Sequence, residues 1–409
     1  MITVEKALEI ILSQSQDFGI VEIPFMQSLG RVLKEDIIAD RDFPPFDRVS
    51  MDGIAINFEV FDKGQLTFDI ENVQAAGAPQ LPLNNMHNCI EVMTGAITPK
   101  NTNTVVPYEF IEITNDRATI IHKSIRKDQN IHKQGLDRKK NDALIPKNTI
   151  ISSAEIGVLA TVGKSTVKVA KFPKIMIIST GDELVEVNQN PLKHQIRRSN
   201  AYTLLALLHK LNIKPQTTHI NDNKTILKEK ISHFLKEFDV LLFSGAVSQG
   251  KFDFLPEILK ELGIKKHFHK VKQRPGKPFW FGTIAPIDID RKEDLQNNVT
   301  TIFAFPGNPV STFVSCLKYF YPWLQKSMGI EPLNKEKASL NENFSFKPEL
   351  TYFLQVRLQN ENGKLIATPI KGKGSGDLAN LADADAFLEL PAYKTEFKKG
   401  EVYPLITYR

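Results

Sequence analysis

The chain has 409 residues, of which 42% are hydrophobic and 24% charged. This composition belongs to globular proteins and excludes disordered and fibrous ones. At roughly 100 to 200 residues per domain, the length implies about two to four domains. The net charge of +5 is the small remainder of 52 basic and 47 acidic side chains with no long basic block, so nucleic acid is not indicated as a partner. Cys89 and Cys316, the two cysteines, stand far apart, which argues against a zinc site or a disulfide framework. The first element, Val4 to Ile11, carries apolar residues at helical spacing interrupted by charge. It reads as an amphipathic helix and not as a signal peptide. No apolar stretch approaches the roughly 20 residues that span a bilayer, so a cytoplasmic protein without membrane contact is expected.

The segment Asp42-Phe43-Pro44-Pro45-Phe46-Asp47 then breaks regular structure, because proline neither donates to a ladder nor continues a helix. From residue 47 to 134, short alternating strands such as Thr67-Phe68-Asp69-Ile70 and Ala118-Thr119-Ile120-Ile121 are separated by Gly, Pro and Asn turns, the pattern of a small β-rich domain. The segment Ile150–Val169 combines an apolar helix with a strand, and residues 135–172 are expected to complete a linker domain begun by residues 1–46. Between 173 and 330, strand-like runs (Ile175-Ile178, Val240-Phe243, Thr301-Phe305) alternate with helical stretches (Ala201-Leu211, Lys224-Phe238, Val310-Lys326). That alternation predicts a central doubly wound α/β domain with a mainly parallel sheet. Asp288 to Asn298 reads as an inserted surface loop. Residues 331–409 return to short strands and glycine turns, with Asn362-Gly363 a hairpin signal, and predict a closing small β domain. The expected fold class is therefore multidomain α/β.

In open α/β sheets a ligand lies beyond the carboxyl ends of the strands. Each predicted strand here ends in a distinctive loop: Thr180-Gly181-Asp182-Glu183-Leu184, then Ser244 to Asp253 with Gly245, Ser248 and Gly250, then Pro306-Gly307-Asn308-Pro309-Val310-Ser311. A further loop, Arg274-Pro275-Gly276-Lys277-Pro278, precedes another strand. Glycine lets a backbone approach a phosphate without a Cβ clash, while its N–H groups donate to the anion. Ser248 and Ser311 add hydroxyls and Lys277 a point charge. Together these loops predict a pocket for a phosphorylated anionic ligand. Asp182, Glu183 and Asp253 would repel such a ligand unless a hard cation such as Mg²⁺ bridges them to it; the alternative for Asp182 and Asp253 is helix N-capping. Gly157 to Ser165 has five residues between its glycines where a P-loop needs four, and Gly372-Lys373-Gly374-Ser375-Gly376 does not match the dinucleotide fingerprint.

Taken in order, these segments resemble the molybdopterin molybdenumtransferases, the MoeA family that includes the gephyrin E-domain. The resemblance runs through Pro44-Pro45-Phe46-Asp47, Ser50-Met51-Asp52-Gly53, Met93-Thr94-Gly95-Ala96, Val105-Val106-Pro107-Tyr108-Glu109, Gly135-Leu136-Asp137, Ser199-Asn200 and the four loops above. It implies an elongated homodimer of four-domain subunits. It also implies a reaction in which adenylyl-molybdopterin takes molybdenum from molybdate, with Mg²⁺-dependent release of AMP. Asp182, Glu183 and Asp253 would then handle metal and phosphates. Ser248, Lys277, Pro278 and Ser311 would bind molybdate and ligand, joined by Ser375 from the last domain. Asp52, Thr94 and Asp137 match functional positions in the first half, with Asp52 and Thr94 acting on the ligand of the second subunit. Beyond its own second copy, the partners implied are the adenylyltransferase that supplies the substrate and the molybdoenzymes that accept the product.

Three positions depart from the family pattern. Ala246 replaces the second glycine of a usual pair, Arg198 stands where many relatives have Asp, and Gln355 takes the place of an arginine that some relatives use for molybdate, with Arg357 two residues further on the same strand face. These departures motivate one alternative, a binding or scaffolding protein of the same fold; a second, an enzyme acting on a different pterin or nucleotide oxyanion such as tungstate, follows because oxyanions of nearly equal size and charge share one sequence signature.

Overall fold

The computed structural model describes residues 1–122, 124–245, 247, 254–285, 299–332, 336–372 and 374–409. They form two compact units, one of Met1–Lys34, Asn148–Ser153 and Thr166–Arg409, the other of Glu35–Lys147 and Ala154–Ser165. The expected linker segments are thereby shared between the units. Among the described residues, no helix is long and apolar enough to cross a membrane.

The larger unit is built on a six-stranded sheet in the order Gln216–Ile220, Ile175–Thr180, Val240–Ser244, Thr300–Phe305, Trp280–Ile284, Lys265–His269. The first four strands are mutually parallel, and only Trp280–Ile284 runs against them, pairing antiparallel with a strand on each side, so the sheet is mixed. Ile175–Thr180, Val240–Ser244 and Thr300–Phe305 are buried at every position, which is why they read as unbroken apolar runs. Alternate residues feed different layers. Ile175, Ile177, Val240, Leu242, Phe303 and Phe305 join one core with the helix Asn200–Lys210, while Met176, Ile178, Leu241, Phe243, Ile302 and Ala304 join another with the helices Lys224–Glu237 and Leu255–Glu261.

The N-terminal helix Val4–Ser13, capped by Thr3 Oγ1 accepting from the Lys6 N–H at 3.2 Å, buries Val4, Ala7 and Ile11 in the first of these cores. Trp323 Nε1 donates to Gln14 O at 2.8 Å and pins the end of that helix. The stretch expected as one helix from Val310 to Lys326 has three parts, Pro309–Ser315, a π segment Cys316–Phe320 and Tyr321–Ser327. Pro322 is accommodated at the start of the last part, where a missing N–H costs least. The expected inserted loop, Asp288 to Asn298, lies outside the described residues.

Five C-terminal strands, Thr351–Glu361, Lys364–Pro369, Lys337–Leu340, Val402–Thr407 and Ala386–Leu390, pair in that order, and the last pairs again with the first. This ring leaves no open edge within the barrel. Its wall is extended by Gln273–Arg274, which pair in parallel with Thr351–Tyr352. The Asn362-Gly363 turn has φ of 51° and 80°, the left-handed pair that a two-residue hairpin requires. Gly363→Ala meets no steric obstacle, so it is expected to cost only the strain of positive φ, about 1 kcal/mol, read as a small downward shift of the urea midpoint with unchanged slope.

The smaller unit holds a six-stranded sheet in the order Thr104–Pro107, Gly53–Ile56, Cys89–Val92, Thr67–Gln74, Arg117–Ile120, Ile111–Thr114. A ribbon of Arg48–Val49 with Ile131–His132 stands beside it.

Candidate active site

Order and direction of the parallel strands place a crevice at the carboxyl ends of Ile175–Thr180 and Val240–Ser244, where the chain passes from the first strand outward to one neighbour and then back to the other. Gly245, at φ +104°, sits so close to Thr180 that a Cβ would lie 3.1 Å from Thr180 Oγ1 and 3.2 Å from Thr180 O. The approach of the two loops therefore depends on the missing side chain. Asn200 Nδ2 ties the next helix to the same strand ends, donating to Ser244 Oγ at 2.9 Å and Gly307 O at 2.7 Å.

Around this crevice lies a cleft of about 570 Å³ whose lining includes Thr180, Gly181, Glu183, Arg197, Arg198, Ser199, Asn200, Asp222, Gly245, Pro278, Pro306, Gly307, Asn308 and Pro309. Arg198 is buried; its Nη2 lies 2.8 Å from Glu186 Oε1, and its Nη1 donates to Ser179 Oγ at 3.4 Å. The positive charge of Arg198 is thus opposed by Glu186. Burial, and then the neighbouring Arg198 guanidinium, lowers the pKa of His219 below the usual imidazole value. His219 Nδ1 is 3.2 Å from Ser179 Oγ.

A second cleft of about 540 Å³ adjoins the first, sharing Pro278, Pro306 and Asn308. Its lining adds Arg274, Pro275, Gly276, Lys277, Ser311, Gln355, Ser375 and Asn380, with Tyr352 and Phe353 from the barrel. Among the described residues this lining contains no carboxylate, so its electrostatics favour an anion. Gly276, at φ +91°, leaves its Cβ position 2.7 Å from Gln273 Nε2 and 3.0 Å from Ser315 Oγ, so a larger residue would close the floor. Asn308 Nδ2 donates to Ser375 Oγ at 2.9 Å, and the Val310 N–H donates to Ser375 O at 3.1 Å. These bonds dock the last domain's glycine-rich turn on the Pro306–Ser311 loop. Gln355 is buried against Asn380 Nδ2, which donates to its Oε1. Arg357 is exposed, donates to Asp383 O at 3.3 and 3.1 Å, and is not part of the lining; the shared strand face does not bring it to the cleft.

Other sequence-derived candidates fall elsewhere. Asp182 lines neither cleft; its Oδ1 accepts from Asn221 Nδ2 at 2.9 Å and from the Asp222 N–H at 3.1 Å, bracing the loop before the helix Lys224–Glu237. Ser248, Gly250, Asp253 and the departing Ala246 lie outside the described residues. Among the described residues, no group of three or more His, Cys, Asp or Glu is placed to hold a metal ion. Ser179, Gln273, Tyr352, Asp222 and Asn380 were not expected as site residues. They stand in strand, turn or short-helix positions with no distinctive motif, and only the fold turns them toward a cleft.

Asp52, Thr94 and Asp137 belong to the smaller unit. There the Val49 carbonyl accepts from the Gly95 N–H at 2.9 Å, and the Ser50 N–H donates to Asn130 O at 3.0 Å, so the ribbon gathers the segments carrying all three. Asp52 Oδ1 accepts from the Thr94 N–H at 2.5 Å, and this bond, aided by the Thr94 side chain, holds the Asp52 carboxyl below its usual pKa. Asp137 Oδ1 is 2.8 Å from His132 Nε2, a partner that the sequence reading missed.

Comparison with known proteins agrees with this architecture along the whole chain. Residues 2–163 match the model of the MoeA N-terminal region (domains I and II), 176–326 a probable molybdopterin-binding domain, and 337–408 the MoeA C-terminal region (domain IV). A molybdopterin molybdenumtransferase of Synechocystis is 38% identical over 414 aligned positions, covering 100% of each chain. One from Staphylococcus epidermidis is 31% identical, covering 99% of this chain and 95% of its own. The crystal structure of a molybdopterin biosynthesis MoeA protein from Pyrococcus horikoshii, 27% identical, superposes over 100% of both chains with a TM-score of 0.82. Full-length identity, three successive domain matches and a shared fold together place the chain in the MoeA family of molybdopterin molybdenumtransferases.

Proposed function

We propose that this transferase of molybdenum cofactor biosynthesis takes adenylyl-molybdopterin and molybdate, releases AMP and leaves molybdenum on the pterin dithiolene. The observation that carries this reading is the pair of adjoining clefts with one common wall, Pro278, Pro306 and Asn308. The first cleft, with its glycine loops and helix start, suits a nucleotide phosphate; the second, with Lys277 and Arg274 and no described carboxylate, suits the oxyanion substrate. A substrate lying across the shared wall would present its phosphate link to one cleft and its dithiolene to the other.

Glu183, on the wall of the first cleft, offers the hard oxygen donor that Mg²⁺ prefers, whereas Asp182 has one oxygen already engaged by Asn221 and Asp222. A few carboxylate oxygens completed by water and substrate phosphate fit that ion, so Glu183 would hold it, joined by Asp182 and Asp253 on the strength of the family resemblance. When bound, the ion would offset phosphate charge as the link to AMP breaks. Lys277, Ser311 and Ser375 then orient the oxyanion. In this reading the protein is a homodimer, and Asp52, Thr94 and Asp137 complete the site of the second copy.

Purified protein is expected to release AMP from adenylyl-molybdopterin only with molybdate and Mg²⁺ present; no AMP and no molybdenum cofactor would end the proposal. Dimer complementation tests the shared site. Asp52→Ala and Lys277→Ala are each expected to lose nearly all activity alone. When randomly co-assembled, they should recover about a quarter of wild-type turnover, because half of the dimers are mixed and each mixed dimer has one intact site. No recovery would show that Asp52 serves its own subunit.

A further inference from the structure

The nucleotide cleft carries an unbalanced set of buried polar atoms. Among the described residues, seven buried side-chain atoms have no hydrogen-bond partner, and three of these, Thr180 Oγ1, Arg198 Nε and Asn200 Oδ1, belong to residues that line this one cleft. Orphaned buried atoms are costly unless something else satisfies them. The helix Asn200–Lys210 also begins here, and Ser199 at its N-cap makes no side-chain capping bond. Its first-turn N–H groups and positive dipole end therefore add to the demand for an anion.

Arg198 is the buried cation of this lining, its side chain 9% exposed. Glu186 engages only one nitrogen of the guanidinium, with its Oε1 at 2.8 Å and Oε2 at 2.9 Å from Nη2, while Nε is left without a partner. Nε and Nη2 share one edge of the guanidinium, the edge that binds two oxygens of a phosphate side by side. A carboxylate that satisfies half of such an edge is a poor match for it. Glu186 is itself half-exposed and is also held by Tyr202 OH at 3.2 Å, so it can return to water when displaced.

We propose that Arg198 binds the phosphate of the nucleotide in this cleft through its Nε/Nη2 edge, and that Glu186 is a counter-ion which the phosphate displaces. The proposal rests on the reading that this cleft takes an adenylate. Thr180 Oγ1 would donate to the same phosphate, and Asn200 Oδ1 would accept from a hydroxyl or amino group of the nucleotide.

Titration calorimetry of the full chain with AMP and, in parallel, adenosine tests it. Arg198→Ala is expected to weaken AMP about tenfold or more while leaving adenosine unchanged, since a charge-assisted pair is lost only for the phosphate. Arg198→Lys should fall between, keeping the charge without the fork. Glu186→Gln should tighten AMP by roughly threefold through loss of the competing charge. AMP affinity unchanged in Arg198→Ala, or equal losses for AMP and adenosine, would overturn the role of Arg198, and AMP affinity unchanged or weaker in Glu186→Gln would overturn that of Glu186 as the displaced counter-ion. Wild-type protein that binds no AMP would overturn the nucleotide reading as well, and so separates the two failures.

Discussion

Gly53→Ala is expected to unfold the sheet of the smaller unit. Gly53 opens a central strand, paired with Val92 on one side and Pro107 on the other. An alanine Cβ there would fall 2.0 Å from the Val106 carbonyl oxygen and 2.8 Å from Pro107 Cα. Both obstacles are backbone in a strand buried at every position, so no side chain can rotate away. Relief requires parting the two strands, with loss of ladder bonds and of the packing of Ile54, Ile56 and Val106. Overpacking on this scale costs about 3 kcal/mol or more. The measurement is chemical denaturation with hydrogen exchange on residues 53–56 and 104–107; a wild-type midpoint and wild-type protection would refute it. Asp52 and Thr94 are anchored on this strand's entry, where the Tyr108 N–H donates to Asp52 O at 3.2 Å, so turnover should disappear along with the sheet.

Lys277→Ala is expected to have the largest effect on chemistry without an effect on fold. Its backbone is fixed by hydrogen bonds from the Val271 and Phe279 N–H groups, both to Lys277 O at 3.0 and 3.1 Å. The side chain is exposed on the second cleft. Arg274, the other cation of that lining, lies over the Phe346 ring at 5.8 Å, which leaves Lys277 as the exposed point charge for an oxyanion. Removing it should lower kcat/KM for molybdate by about a hundredfold, the scale at which one charge-stabilising group contributes to a reaction. Because an exposed truncation seldom changes stability by more than about 0.5 kcal/mol, the melting temperature should stay near that of wild type. Lys277→Arg should retain part of the activity. A hundredfold loss accompanied by a large fall in melting temperature would instead make Lys277 structural, and full activity in Lys277→Ala would remove it from the site.

Much of the molecule was legible in its sequence because the relevant physics is local. Ile175-Ile178, Val240-Phe243 and Thr301-Phe305 are apolar throughout since both sheet faces are covered, and alternate residues enter opposite cores. Asn362-Gly363 announced its hairpin through the positive φ that both residues tolerate. The glycine loops after the strands marked one side of a crevice, and Thr180, Gly245, Asn200, Gly307 and Asn308 do line it.

What the tertiary structure alone decided concerns which surfaces meet. No periodicity says that Val4, Ala7 and Ile11 will pack on the α/β core, or that a barrel strand will pair with Gln273–Arg274 and place Gln355, Asn380 and Ser375 beside Lys277. Nor does spacing reveal that Asp182 turns to Asn221 while Glu183 lines the cleft, or that Arg357 lies outside the lining that Gln355 enters. Sequence pattern encodes the conformation and the buried side of each element; the partner of that buried side, and the direction of each loop side chain, follow from long-range packing in which residues about a hundred positions apart compete for the same space.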